Sequence, residues 1–212
     1  MDSLNKLDKK MEKISDVQKY RTILCNKRYQ DEDELYMLEK KINFITPPDF
    51  LKEYVKTLEL MYEDNKSTYH EIEIDSHKLF ELYRELGYTP SEYNNGNKYE
   101  CFISSGTTDM PFDFHQEKDE SPHSMTLVYY FENNCVGGNF EYILPENEEY
   151  IPVDGITFIP EIEDSEDKDN GNIVSIDIRK HNCFLFNSEI SHRGTPITSG
   201  KRAFLSLHVT IK

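Results

Sequence analysis

Tyr99-Glu100-Cys101-Phe102-Ile103-Ser104 is where the periodicity of this sequence changes from helical to strand-like. From there onward, short apolar runs alternate with turn residues. The runs are 99 to 104, 113 to 117, 124 to 131, 139 to 143, 156 to 159, 173 to 178, 183 to 186 and 202 to 211. Gly137-Gly138, Pro145-Glu146-Asn147 and Asn170-Gly171 are among the breaks between them. About eight short strands with such breaks predict an antiparallel sandwich or barrel.

Before Tyr99 the spacing is helical. Leu4, Leu7, Met11, Ile14 and Val17 fall three and four apart, which predicts an amphipathic helix, and residues 31 to 42 read as a second short one. Thr46-Pro47-Pro48-Asp49 has the composition of a helix start, with Thr as cap, Pro in the first turn and Asp at the positive end. Phe50, Leu51, Tyr54, Val55, Leu58, Met61 and Tyr62 then share one face. Ile72-Glu73-Ile74-Asp75 reads as a strand, and Ser76 is placed to cap a helix with the stripe Leu79, Phe80, Tyr83 and Leu86, ended by Gly87. Helices followed by many strands predict an α+β chain: a jelly roll with N-terminal helices packed against one sheet. The expected division is a mainly helical support over 1 to 98 and the jelly roll over 99 to 212, with an acidic insertion at about 161 to 172.

Charge narrows the function. The 212 residues carry 24 Lys plus Arg against 40 Asp plus Glu, a formal charge of -16. That field repels phosphate backbones and anionic membranes, and no basic patch offsets it. Nucleic-acid and membrane partners are therefore not expected. Cys25, Cys101, Cys135 and Cys183 stand singly, which suggests reduced thiols and a cytoplasmic or nuclear setting rather than a disulfide framework. The first residues lack the apolar core of a signal peptide, and no run approaches a membrane span. Asp167-Lys168-Asp169-Asn170-Gly171-Asn172 has some likeness to a calcium loop, but its glycine falls one place early and Ile178 stands where a bidentate Glu is needed.

The chemistry-bearing residues lie at the two ends of the strand-rich part. On a strand over 113 to 117, His115 and Glu117 share one face. His192 follows the apolar run Cys183-Phe184-Leu185-Phe186, and Arg202 comes ten residues after it. Two His and one carboxylate that leave metal positions open are the ligand set of non-haem Fe(II) oxygenases. On a strand beginning at Arg202, Phe204, Ser206 and His208 lie on the face of the guanidinium.

Four landmarks in order, His115-Gln116-Glu117, Thr126 through Phe131, Gly137-Gly138-Asn139-Phe140, and His192 with Arg202 inside Gly200-Lys201-Arg202, carry a family resemblance. Residues 99 to 211 resemble the catalytic domain of Fe(II)- and 2-oxoglutarate-dependent dioxygenases, in the branch of prolyl and lysyl hydroxylases. The resemblance implies a double-stranded β-helix in which His115, Glu117 and His192 are catalytic metal ligands. It also implies that Arg202 binds the far carboxylate of 2-oxoglutarate with help from Ser206 and Tyr130. Alternation groups Thr126, Val128 and Tyr130, and a one-residue slip would substitute Tyr129.

Fe(II), 2-oxoglutarate and O2 would be required, with ascorbate optional. The reaction implied is oxidative decarboxylation to succinate and CO2 coupled to hydroxylation of a C–H bond. A peptide side chain is the leading substrate, a small molecule or free amino acid the second, and a catalytically silent binding module the third reading. The sequence fixes no oligomeric state. The family usually has Asp where Glu117 stands, and the extra methylene shifts the carboxylate by about one bond. Asp113 and Asp119 are fallbacks, the first preceding the His and the second breaking the spacing.

Overall fold

A computed structural model describes residues 42–91, 97–108, 113–116, 124–144, 153–160 and 171–211. The helices expected over 1 to 17 and 31 to 42, the acidic insertion, Glu117 and Tyr99's downstream neighbours 109 to 112 lie outside the described residues, apart from Ile42 and Gly171-Asn172 at their borders. Two helices are described, α1 (Asp49–Val55) and α2 (Ser76–Glu85). The eleven strands among the described residues are β1 (Asn43–Phe44), β2 (Lys66–Glu71), β3 (Lys98–Ser105), β4 (Ser124–Glu132), β5 (Cys135–Gly137), β6 (Phe140–Ile143), β7 (Ile156–Ile159), β8 (Ile173–Ile176), β9 (Cys183–Asn187), β10 (His192–Gly194) and β11 (Ile197–Thr210).

All pairings among the described strands are antiparallel. One sheet of seven strands runs β1-β9-β4-β11-β3-β2, with β5 joined to β11, and a second of four runs β10-β6-β8-β7. Strict alternation sorts the large sheet's side chains. Met125, Leu127, Tyr129, Cys183, Leu185, Ala203, Leu205, Leu207 and Val209 form one core with Leu51 of α1 and Leu79, Phe80 and Tyr83 of α2. The intervening Val128, Tyr130, Phe184 and Phe186 form another with Phe140 and Ile176 of the four-stranded sheet. Helices thus cover one face of the large sheet and the small sheet faces the other, an arrangement compatible with a β-sandwich. Burial on both faces explains why β4 and β9 read as continuous apolar runs rather than as alternating ones.

Tyr83 ties α2 to the sheet. Its ring is fully buried, and its hydroxyl donates at 3.1 Å to the carbonyls of both Met125 and Leu207. Burial pushes its pKa well above the usual tyrosine value, so it remains a donor.

Several local expectations change. The helix after Pro48 stops at Val55, where Thr57 N–H bonds to the Tyr54 carbonyl and Leu58 N–H to that of Val55, tightening the last turn to i→i+3 bonds. Leu58 and Tyr62 reach the core from the extended chain that follows, while Met61 is 75% exposed. Pro48, not Thr46, holds the cap position and makes no side-chain cap bond. The strand falls on Lys66–Glu71 instead of 72 to 75, because the polar KSTYHE run is an edge strand beside β3. Ile72 keeps one further bond, to Tyr99, before the chain leaves the sheet. Asp75 caps α2 in place of Ser76, accepting from the N–H groups of His77 and Lys78. Gly87, at φ +94°, ends that helix as expected.

Residues before 99 supply β1 and β2 to the large sheet as well as the helices. Within 113 to 116 the described pairing is a single bridge at His115 rather than a full strand. The last strand starts at Ile197, with a bulge before Ser199 that lets its first residues pair with β5. No helix among the described residues is long and apolar enough to cross a membrane.

Candidate functional site

Because β3, β4 and β11 are in register, their even-numbered side chains make a continuous surface facing the small sheet. Phe204 lies opposite both Phe102 and Tyr130. A pocket of about 80 Å³ opens between that surface and the small sheet. This is several times the ~10–15 Å³ needed for one water, enough for a small organic molecule's several atoms. Phe102, Val128, Tyr130, Phe186, Arg202, Phe204 and Ser206 come from the large sheet, and Phe140, His192 and Gly194 from the small one, with His115 beside them.

The two imidazoles meet through a backbone bridge. His115 N–H bonds to the His192 carbonyl at 3.0 Å, and His192 N–H returns to His115 at 2.9 Å. Their ring centroids are 4.6 Å apart. Each Nδ1 lies 2.9 Å from the carbonyl two residues earlier, Asp113 for His115 and Ile190 for His192. A carbonyl only accepts, so Nδ1 carries a proton in both rings, which selects the tautomer whose Nε2 can offer a lone pair. A carbonyl bond of this kind is how metal-binding His rings are commonly oriented. His192 is buried, stacked on Phe140 at 5.3 Å and edge-on to Phe186 at 4.7 Å, whereas His115 is exposed.

Glu117, the third expected ligand, lies outside the described residues, as does Asp119. Among the described residues no three His, Cys, Asp or Glu side chains cluster as a metal site. Asp113 contributes its backbone carbonyl to His115, which accounts for its place beside the ring.

Arg202 is 3% exposed. Nη1 donates to the carbonyls of Gly138 at 3.2 Å and Thr195 at 2.9 Å, while the buried Nε has no partner. No carboxylate among the described residues pairs with this guanidinium. Burying a cation without a counter-charge is costly, and Arg202 is so buried while lining the pocket. Gly138, at φ +77°, is what allows the approach, because a Cβ there would stand 3.3 Å from Nη1 and 2.7 Å from Ile197.

Tyr130 lines the pocket and Tyr129 lies on the helix side, which resolves the register in favour of Tyr130. Burial pushes the Tyr130 hydroxyl up to about 12, with Arg202 pulling the other way, so it stays protonated and can donate. Ser206 also faces the pocket. His208, on the same strand face, is taken up with Thr126 and Ser188, whose hydroxyls each lie 3.3 Å from its Nδ1.

The structure therefore brings His115, His192, Arg202, Ser206 and Tyr130 to one pocket. Sequence reasoning missed the walls Phe102, Phe140 and Phe186, although the alternation within β3, β6 and β9 contained the signal. No protein-family model matches this chain, and no curated protein is significantly similar to it.

Proposed function

We propose that this protein is an Fe(II)- and 2-oxoglutarate-dependent dioxygenase that hydroxylates a C–H bond, with its two facing sheets forming a jelly roll, the double-stranded β-helix. The observation that carries the proposal is Arg202: buried, with an unused Nε donor and no acidic partner among the described residues, in the same pocket as two imidazoles whose Nδ1 atoms are fixed. That combination fits a ligand with a carboxylate at one end and a metal-binding group at the other.

In this reading His115 and His192, with Glu117, hold the iron, and Arg202, Tyr130 and Ser206 hold the distal carboxylate. When bound, iron would activate O2, the oxidant, with one oxygen atom taken up as 2-oxoglutarate is oxidised to succinate and CO2 and the other going into the substrate C–H bond. Arg202 orients the co-substrate through charge-assisted hydrogen bonds. The aromatic walls keep water away, which strengthens that attraction in a low-dielectric pocket. The Nδ1 bonds hold both rings in the tautomer that presents Nε2. A peptide side chain is the leading substrate and a free amino acid or other small molecule the second. Three buried free thiols, Cys101, Cys135 and Cys183, fit a reducing cytoplasmic or nuclear setting.

Anaerobic addition of Fe(II) and 2-oxoglutarate tests the reading. The expected result is a weak visible charge-transfer band that disappears in His192→Ala, with succinate released on admitting air. A wild-type protein that gives no band and no succinate would be a binding module instead.

A further inference from the structure

The imidazoles occupy one side of the small sheet, and their chain neighbours occupy the other. The antiparallel bridge between His115 and His192 sets Phe114 opposite Arg193, and Arg193 is in turn paired with Glu141 on β6. A second row of side chains therefore runs behind the first. The Arg193 guanidinium carbon lies 4.2 Å from the centre of the Phe114 ring. Both Nε and Nη2 reach Oε2 of Glu141 at 2.9 Å. The pair is shielded, with the Glu141 side chain 11% exposed and that of Arg193 32%. β6 is itself hydrogen-bonded on both sides, to β10 and β8, so Glu141 stands on an interior strand of this sheet.

The geometry points to Arg193 as a positioning residue: locked by Glu141, its planar face grips Phe114 and so sets His115 against His192. The inference rests on the reading of these two His as metal ligands. Its logic is mechanical. His192 belongs to a strand paired with β6, and His115 is joined to it by a backbone bridge directly beside the Phe114–Arg193 contact. A ligand pair is preorganised when the groups around each member hold it in place. A guanidinium does this well, because it can form an in-plane bond to a carboxylate while its face attracts an aromatic ring. The role asks for a planar cation after His192 and a ring before His115, and the chain has both.

The test uses full-length protein and Co(II), read by calorimetry and by its visible bands, together with amide exchange at His115, whose N–H is bonded to His192. Phe114→Leu keeps an apolar side chain without an aromatic face. It is expected to weaken Co(II) binding by about tenfold or more, the range seen when outer partners of metal ligands are lost. It should also speed exchange at His115 while leaving the thermal midpoint close to wild type, and Phe114→Tyr should restore both readouts. Wild-type Co(II) affinity and wild-type exchange in Phe114→Leu would overturn the inference. Failure of the unaltered protein to bind Co(II) would instead remove the metal reading, and the positioning role with it, independently of any variant.

Discussion

The two faces of the seven-stranded sheet are made by the same strands and differ in what they tolerate. On the helix side, Met125, Leu127, Leu205, Leu207 and Val209 are fully buried and apolar, and the face is closed by α1 and α2. On the other, the alternating positions of β4 and β11 include Thr126, Tyr130, Arg202, Ser206 and His208 among aromatic rings. The first face pays for the fold through burial alone. The second holds a buried cation and several hydroxyls that a stability-optimised sandwich would replace with hydrocarbon. Placing such a site on the rigid sheet rather than on loops fixes its geometry, and the apolar face behind it supplies the stability that makes this tolerable.

Substitutions should separate the two faces. The largest effect is expected for Leu127→Ala on the helix side, which should cost about 2–5 kcal/mol in urea denaturation by leaving a cavity. 2-Oxoglutarate affinity of the folded fraction should stay near wild type. If affinity falls in parallel with stability, the faces are not independent. The mirror-image case is Arg202→Met. Losing a hydrogen-bonded partner of a buried carboxylate should weaken 2-oxoglutarate binding by about 2–5 kcal/mol, measured by calorimetry in the presence of Mn(II). Stability should change by much less than in Leu127→Ala, since the unpaired cation leaves with the side chain.

The smallest effect concerns pH. Tyr130 is raised in the folded state to about 12 by burial. A raised tyrosine favours the folded state while neutral, so its contribution is complete below pH ~10 and is lost as pH climbs toward the folded value. At pH 11 the loss is about 1.4 kcal/mol for a two-unit shift. Urea titrations between pH 9 and 11.5 should show wild-type stability falling with pH, and Tyr130→Phe falling less steeply. Equal slopes would mean that the hydroxyl is not desolvated and the pocket is wetter than its aromatic walls imply.

Much of this was open to reading in the chain. The strands at 124 to 131, 156 to 159 and 183 to 186 coincide closely with β4, β7 and β9, because apolar runs bounded by turn residues leave few alternatives. Arg202, Ser206 and Tyr130 could be placed on one side because a strand's period of two is a local property. Polar edge strand β2 escaped, since KSTYHE has no apolar signature and is a strand only because β3 lies beside it. Helix α1 was overextended because Leu58 and Tyr62 carry a helical spacing that the core satisfies from extended chain.

Local periodicity alone settled which side chains share a face, and charge alone set the field around the molecule. Tertiary structure decided which faces meet. Residues 115 and 192 are far apart in sequence, and their rings come together only through a backbone bridge between distant segments. The choice of Tyr130 over Tyr129 likewise depended on which side of β4 the helices cover. So did the burial of Arg202 beside a pocket with no carboxylate partner among the described residues, since a partner for a buried charge is a property of the space around it and not of its neighbours in the chain.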